Sequence, residues 1–370
     1  MKNAEIIFRA DGSTETGLGH IVRSVSLANM VASLGTVTLI TQSDDDFTAR
    51  LTSAYKINQL TFSGGRFEED FFRYVSAIAE KRRVIVVLDG YDFDQAYQIC
   101  LKSSGIKLVM IDDLQTLGYA CDAIINPAEI DSTEYYPAGI PVFSGRNYAL
   151  LRPLFLEAAS KPKTFREFQG KLFVSFGASD PGNKTLELLE AFKDSAEIEV
   201  INVLTSELNP HLASLTAFAA TATPSIQFHQ NLDEAGLFKL ISDCDGCITS
   251  ASTIASEVIS IGKPLICAIT AENQQALYES LVKNGVCTGA GDLSGTMAVD
   301  WKILTETFRN VAAVKEQLTQ QHHYLDGCRQ SVTSTCSKIC WHDHFPNDPS
   351  RRRIAAFTLE ERSRSFRSLV

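Results

Sequence analysis

Ile6-Ile7-Phe8-Arg9, then Ala10-Asp11-Gly12-Ser13-Thr14-Glu15-Thr16-Gly17-Leu18-Gly19-His20, then Ile21-Val22-Arg23-Ser24: near its start the chain passes from an apolar run through a glycine-bearing loop into a segment of helical period. A strand that feeds a helix through such a turn is the first unit of a doubly wound α/β sheet, and the turn lies where these sheets bind anions. The glycines suit a tight turn because they tolerate positive φ and let a ligand approach the backbone. His20 falls where loop becomes helix, and the positive end of the helix favours the neutral imidazole that can serve as a base. An ordinary β-to-α turn with a surface histidine would read the same way, so position alone leaves its role open.

Working outward, short apolar runs alternate with longer segments of helical period, the pattern of βα units on a parallel sheet. The first series predicts strands at Ile6 to Arg9, Val37 to Thr41, Val84 to Asp89, Lys107 to Ile111 and Ala123 to Asn126. Helices are predicted at about His20 to Leu34, Asp46 to Ala54, Glu68 to Lys81 and Phe93 to Ser103. Residues 157–169 are polar and read as a linker. A second series predicts strands at Lys171 to Ser175, Glu197 to Val203, Ile226 to Phe228, Gly246 to Thr249 and Pro264 to Ala268. The expectation is therefore two Rossmann-like domains, 1–156 and 170–327, with a cleft between them, and an atypical tail over 328–370.

The second half repeats the loop logic of the first. Leu172-Phe173-Val174 runs into Ser175-Phe176-Gly177-Ala178-Ser179-Asp180-Pro181-Gly182-Asn183, and Cys247-Ile248-Thr249 runs into Ser250-Ala251-Ser252-Thr253-Ile254-Ala255-Ser256-Glu257. Ser252 and Thr253 serve equally well as N-caps, and Glu257 as a capping partner. Three small-residue strand-to-helix loops facing one cleft nevertheless favour a diphosphate ligand.

Composition narrows the class. The 370 residues, 45% hydrophobic and 21% charged, are those of a globular protein of two ordinary domains. No run approaches the ~20 apolar residues of a spanning helix, and Met1-Lys2-Asn3-Ala4-Glu5 has no apolar signal core. A cytoplasmic protein without membrane insertion is expected. The net charge of −10 hides a split, because residues 328–370 hold eight Lys and Arg against four Asp and Glu. The body is thus more acidic than the whole chain and a poor partner for nucleic acid. Among nine cysteines, Cys100, Cys121, Cys267 and Cys287 sit in or beside apolar runs, as reduced core thiols do. Cys244-Asp245-Gly246-Cys247 is formally Cys-x-x-Cys but belongs to a buried strand rather than to a redox or zinc site.

Taken in order, several motifs resemble a known family. They are Arg9 to Ser13 leading to Gly17-Leu18-Gly19-His20 and Arg23, Leu88-Asp89-Gly90-Tyr91, Ile111-Asp112-Asp113, Asn147 to Arg152, Ser175 to Asp180, and Ser250 to Glu257 with Asn273-Gln274. Over roughly residues 5–327 the chain resembles the UDP-2,4-diacetamido-2,4,6-trideoxy-β-L-altropyranose hydrolases of pseudaminic acid biosynthesis, which are similar to the MurG-type glycosyltransferases of the GT-B fold. The resemblance implies a hydrolase that cleaves the bond between the anomeric carbon and the phosphate oxygen of a UDP-sugar with inversion, needing no metal and no cofactor. It implies His20 as the catalytic residue and Asp11, Gly17, Gly19, Arg23, Tyr91, Tyr148, Arg152, Asn273 and Gln274 on the sugar side. It implies Gly177, Ser179, Ser252, Thr253 and Glu257 around the nucleotide, Glu257 matching the carboxylate that the related transferases place on the uridine ribose. The family commonly reads Asp-His-Tyr where this chain has Asp89-Gly90-Tyr91, which leaves the identity of the sugar open. A GT-B glycosyltransferase with a UDP-sugar donor is the alternative, and a catalytically silent nucleotide-sugar binding subunit a third. The partner expected is the UDP-sugar itself, bound by a monomer, with neighbouring pathway enzymes as further candidates.

From Cys328 onward the character changes. Cys328, Cys336, Cys340, His342 and His344 crowd together ahead of Arg351-Arg352-Arg353. Their spacing fits no common structural zinc pattern, so no metal is expected there, and the segment reads as a poorly packed extension.

Overall fold

The structure is a computed structural model that describes residues 4–12, 17–62, 65–115, 118–295 and 299–325. The Cys/His/Arg-rich segment of the tail lies outside the described residues.

Two parallel sheets organise the chain. The first contains β1 (Ala4–Ala10), β2 (Thr36–Ile40), β3 (Asn58–Leu60), β4 (Arg83–Asp89), β5 (Lys107–Ile111), β6 (Ala123–Asn126) and β7 (Val142–Ser144), in the order β3-β2-β1-β4-β5-β6-β7. The second contains β8 (Lys171–Ser175), β9 (Val200–Leu204), β10 (Ser225–His229), β11 (Gly246–Ser250), β12 (Leu265–Ile269) and β13 (Thr288–Asp292), in the order β10-β9-β8-β11-β12-β13. Both are doubly wound, and each reverses direction once, between β1 and β4 and between β8 and β11. Such reversals open the crevice in which α/β sheets hold ligands.

The helices of the first half are α1 (Gly19–Val31), α2 (Asp46–Ala54), α3 (Phe67–Ala79), α4 (Gln95–Lys102) and the single turn α5 (Ser132–Tyr135). They are followed by α6 (Pro153–Ala159), α7 (Lys184–Phe192), α8 (Leu212–Ala219), α9 (Glu234–Asp243), α10 (Thr253–Ile261), α11 (Gln275–Lys283), α12 (Trp301–Glu306) and α13 (Val311–Tyr324). None of them is long and apolar enough to cross a membrane.

The central strands follow from burial on both faces, which demands a continuous apolar run rather than alternation. Every residue of β1 is buried, as are Val84 to Asp89 of β4. The strands absent from the expectation, β3, β7 and β13, are three to five residues long at sheet edges. Edge strands are short and half-solvated, so they carry little apolar signal. The helix α6 also runs to Ala159, into the stretch read as linker, because Phe155 and Leu156 are buried there and Phe155 packs on Phe238 of α9 with ring centroids 5.5 Å apart. Residues 160–170 carry no helix or strand.

Candidate active site

The loops after β1 and β4 of the first sheet face those after β8 and β11 of the second across a cavity of about 530 Å³, within the usual range for small-ligand sites. Gly17, Gly19, His20, Arg23 and Tyr91 line it from the first half. Gly177, Ser179, Ser252, Thr253, Glu257, Asn273 and Gln274 line it from the second, with Arg152 at the junction. The walls approach closely at Gly17, whose φ of +70° glycine adopts without strain. A side chain there would meet the Ser179 hydroxyl across the cleft, with Cβ 4.0 Å from Oγ.

His20 belongs to a buried charge cluster. Its Nδ1 lies 2.6 Å from Asp89 Oδ1. Arg23 Nε reaches both Asp89 oxygens at 2.9 Å, Arg23 Nη2 donates to Oδ1, and Ser24 Oγ donates to Oδ2 at 2.9 Å. Burial alone would raise the Asp89 carboxyl, but the adjoining Arg23 and His20 outweigh it and hold it at about 2. An ionised carboxylate only accepts, so the proton between the two groups sits on Nδ1, and the base nitrogen that faces away from Asp89 is Nε2. Arg23 Nη2 also lies 3.0 Å from Nδ1. Two donors cannot share a bond, so that approach is a packing contact and Nη2 directs its hydrogen to Asp89. Tyr91 sets its ring edge-on to His20 at 4.8 Å, and burial with the nearby Asp113 carboxylate pushes its phenol well above the ordinary range.

Arg23 continues to the loop after β5, donating from Nη1 to Asp113 Oδ2. Both carboxylates therefore hold the guanidinium, and although desolvation opposes the charge they raise its pKa well above the ordinary value. Arg23 lines the cavity, but its donors are largely spent on orienting the histidine wall.

The helix ends on the second wall differ from one another. Asp180 accepts from the amides of Lys184 and Thr185, both at 2.9 Å, and so closes the start of α7 with its own carboxylate. Burial raises the Asp180 carboxyl even against these bonds. The start of α10 is open, because Ser252 occupies the N-cap position without a side-chain cap bond. Other helices are closed by Asp45, Asp94, Asp233, Asp300 and Asn310, whereas α1, α3, α8 and α11 share the absence of a side-chain cap bond. An uncapped helix start that faces a cavity leaves amide hydrogens and a positive dipole end for an anion.

Glu257, one turn into α10, receives a bidentate pair from Arg152 at 2.7 and 2.8 Å, with both residues under 5% exposed. Arg152 also stacks on Phe155 at 5.1 Å. It thus acts first as the buried partner of Glu257.

Two of the residues expected in the cleft do not line it. Asp11 turns back to β2, pairing with Arg9 at 2.6 Å and accepting from Thr41 Oγ1 and the Gln42 amide. Those partners engage its oxygens, so Asp11 ties the first two strand ends together. Tyr148 packs on Phe143 at 5.8 Å. Conversely, Asp89 and Asp113 hold the histidine wall together although their motifs carry no local sign of that role. Their signal was their place at the carboxyl ends of β4 and β5, beside the β1 turn. A side chain at Gly90 would meet Phe93 at 3.0 Å, so the Phe93 ring fills the space beside this departure from the family pattern.

Among the described residues, no group of three or more His, Cys, Asp and Glu is placed to hold a metal ion. Cys100, Cys121, Cys244, Cys247, Cys267 and Cys287 are buried, and burial pushes the Cys244 thiol up to about 11. Such groups are packed rather than reactive.

No protein-family model matches the chain. It is 24% identical over 291 residues to the UDP-2,4-diacetamido-2,4,6-trideoxy-beta-L-altropyranose hydrolase of Campylobacter jejuni, which covers 76% of this chain and 97% of the relative. It is also 24% identical over 290 residues to the spore coat polysaccharide biosynthesis protein SpsG of Bacillus subtilis, with 76% and 82% covered. Among solved structures, MurG of Acinetobacter baumannii superposes with a TM-score of 0.58 at 16% identity, covering 90% of this chain and 99% of that one. A Staphylococcus aureus MnaA–UDP complex gives 0.60 at 11% identity, covering 92% and 97%. The fold is thereby GT-B: two Rossmann-like α/β domains of seven and six parallel strands.

Proposed function

We propose that the protein is an enzyme that hydrolyses a UDP-linked sugar, releasing UDP and the free sugar with inversion at the anomeric carbon. The observation that carries this reading is the pairing of His20 with ionised Asp89 on one wall of the cavity, opposite the open start of α10 on the other. UDP is a good leaving group, so the demands on the protein are to orient one water and to spread the charge gathering on the departing oxygens.

In this mechanism the water's oxygen attacks the anomeric carbon while its proton passes to His20 Nε2. The bond to the phosphate oxygen breaks, and UDP leaves with the electron pair. A positioned general base is worth typically 10²- to 10⁴-fold. The first-turn amides of α10, with the Ser252 and Thr253 hydroxyls, meet the diphosphate. Glu257 oxygens retain lone pairs beyond the Arg152 bonds and accept the ribose hydroxyls. Gly177 and Ser179 flank the nucleotide, while Gly17, Gly19, Tyr91, Asn273 and Gln274 surround the sugar. The name of the Campylobacter relative supports a diacetamido-trideoxy sugar as the glycone.

Incubation with that UDP-sugar, followed by phosphorus NMR, tests the proposal. Wild type should release UDP and His20→Ala should do so about 10²- to 10⁴-fold more slowly, while both bind UDP alike in calorimetry. Absence of turnover, or turnover unchanged in His20→Ala, refutes the mechanism, and sugar transferred to an added acceptor in preference to water would make the protein a glycosyltransferase.

A further inference from the structure

Asp112 and Asp113 follow β5 directly and do different work. Asp112 is locked into the first domain, accepting from the hydroxyls of Tyr119 and Tyr136 and from the amides of Leu114 and Gln115. That lock fixes the turn and leaves its neighbour in the wall of the cleft.

Asp113 uses one oxygen for two partners from different halves. Its Oδ2 accepts from Arg23 Nη1 on α1 and, at 3.2 Å, from Asn273 Nδ2 in the second domain. Asn273 stands in the short turn Glu272–Gln274, where Gln274 Oε1 accepts from the Thr270 amide at 2.8 Å and holds the turn in place. Asp113 Oδ1 is buried without a hydrogen-bond partner among the described residues. A buried acceptor left unmade costs free energy, so stability alone is a poor reason for a carboxylate here. Other side-chain bonds between the halves join Arg152 to Glu257 at the junction, and Tyr55 to Glu234 and Asn284 to Glu129, the last two outside the lining of the cavity.

Starting from Asn273, hydrogen bonds run to Asp113, Arg23, Asp89 and finally His20 Nδ1 without a break. We infer that Asp113 is a positioning residue that couples the His20 base to the approach of the second domain, so that the base is set when the nucleotide-holding half is docked. This rests on the reading of His20 as the general base. With the second domain away, Asp113 loses Asn273, Arg23 is held less firmly and Asp89 no longer fixes one ring orientation. With it docked, the imidazole is aligned. Water is thus activated only when a nucleotide sugar is enclosed.

Two variants in the full chain test this. Asp113→Asn should lower kcat about a hundredfold, the low end of what a positioned base supplies, with KM and the calorimetric affinity for UDP within about threefold. Asn273→Ala should lower kcat about tenfold, a coupling of ordinary size for groups in one network. Against a His20→Ala background Asp113→Asn should cost nothing further, because it acts through the imidazole. A loss of equal size in that background means direct contact with the sugar and overturns the inference, as does an unchanged kcat in Asp113→Asn. An Asn273→Ala effect confined to KM overturns the link across the cleft.

Failure of wild type to turn over UDP-sugar would instead remove the hydrolase reading. The coupling then stands or falls on nitrogen-15 NMR of the His20 ring with UDP as probe. A lower Nδ1–H fraction in Asp113→Asn supports it, and an unchanged one refutes it. The groups facing that ring are Asp89, Arg23 and Tyr91.

Discussion

Replacing Asp89 with asparagine keeps the shape of the site and removes its central charge. The carboxylate is fully buried and accepts from His20, Arg23 and Ser24. An amide in its place can turn its NH2 toward Nδ1, which moves the imidazole proton to Nε2 and leaves no basic nitrogen for the water. In serine proteases the equivalent change of tautomer costs about 10⁴ in kcat. A similar loss here, about 10³- to 10⁴-fold or ~4–5 kcal/mol in the barrier, is expected. Stability falls too, because Arg23 keeps Asp113 as its remaining counter-charge. Breaking a buried pair costs about 3–5 kcal/mol, and the retained partner places Asp89→Asn near the lower figure. UDP affinity should hold, since the open helix start and Glu257 lie in the other domain. Phosphorus NMR of UDP release, calorimetry with UDP and urea unfolding read the three effects separately. A folded Asp89→Asn protein with kcat within about tenfold of wild type would refute the assignment of His20 as a base held by Asp89.

Thr253→Pro removes one amide from the start of α10 at the first helical position, where proline is well tolerated, and the extended Ser252 before it suits proline. Melting should change little, whereas UDP affinity should drop tenfold or more relative to Thr253→Ala, the worth of a hydrogen bond to a charged group being ~1.5–3 kcal/mol. Equal affinities would remove the α10 amides from the diphosphate site. Acid stability follows from Asp89, whose folded value of about 2 lies below the ordinary 3.8. A depressed carboxyl contributes stability above its unfolded value and loses it as pH falls through the folded one, here on the order of 2 kcal/mol between about pH 4 and pH 2. Urea unfolding of wild type and Asp89→Asn should accordingly converge over that window, and a constant gap would contradict the assignment.

The central strands were legible because burial on both faces writes itself into continuous apolar runs such as Ile6-Ile7-Phe8 and Val84 to Leu88. Which strand lies beside which is not written in any period. The register that sets Ala10 beside Asp89 brings His20 against a carboxylate 69 positions away. A local reading of the Gly17–His20 turn therefore saw a histidine at a helix start but not the group that fixes its tautomer. The same blindness explains Asp11, where the donors Thr41 and Gln42 come from the loop after β2. It explains Arg152 as well, whose bidentate partner Glu257 lies 105 positions on.

The three strand-to-helix loops read alike as sequences, each small-residued and each followed by a helix. One carboxylate separates them. Asp180 folds back onto the first amides of α7 and satisfies them internally, so that loop can shape a cavity but has little left to offer an anion. At α10 the residues available are Ser252 and Thr253, whose hydroxyls are neutral, and the helix start stays open. At α1 the N-cap residue is Leu18, which has no polar atom to give. The two open starts face each other from the switch points of the two sheets. One carries an imidazole held by Asp89, and the other carries hydroxyls with Glu257 a turn behind. Phosphate charge is favoured at the second start, because a negative group at the first would meet Asp89 and Asp113. The acidic pair thus does more than hold His20 and Arg23: it selects which helix start takes the diphosphate, and so directs the anomeric carbon to the histidine side of the cleft.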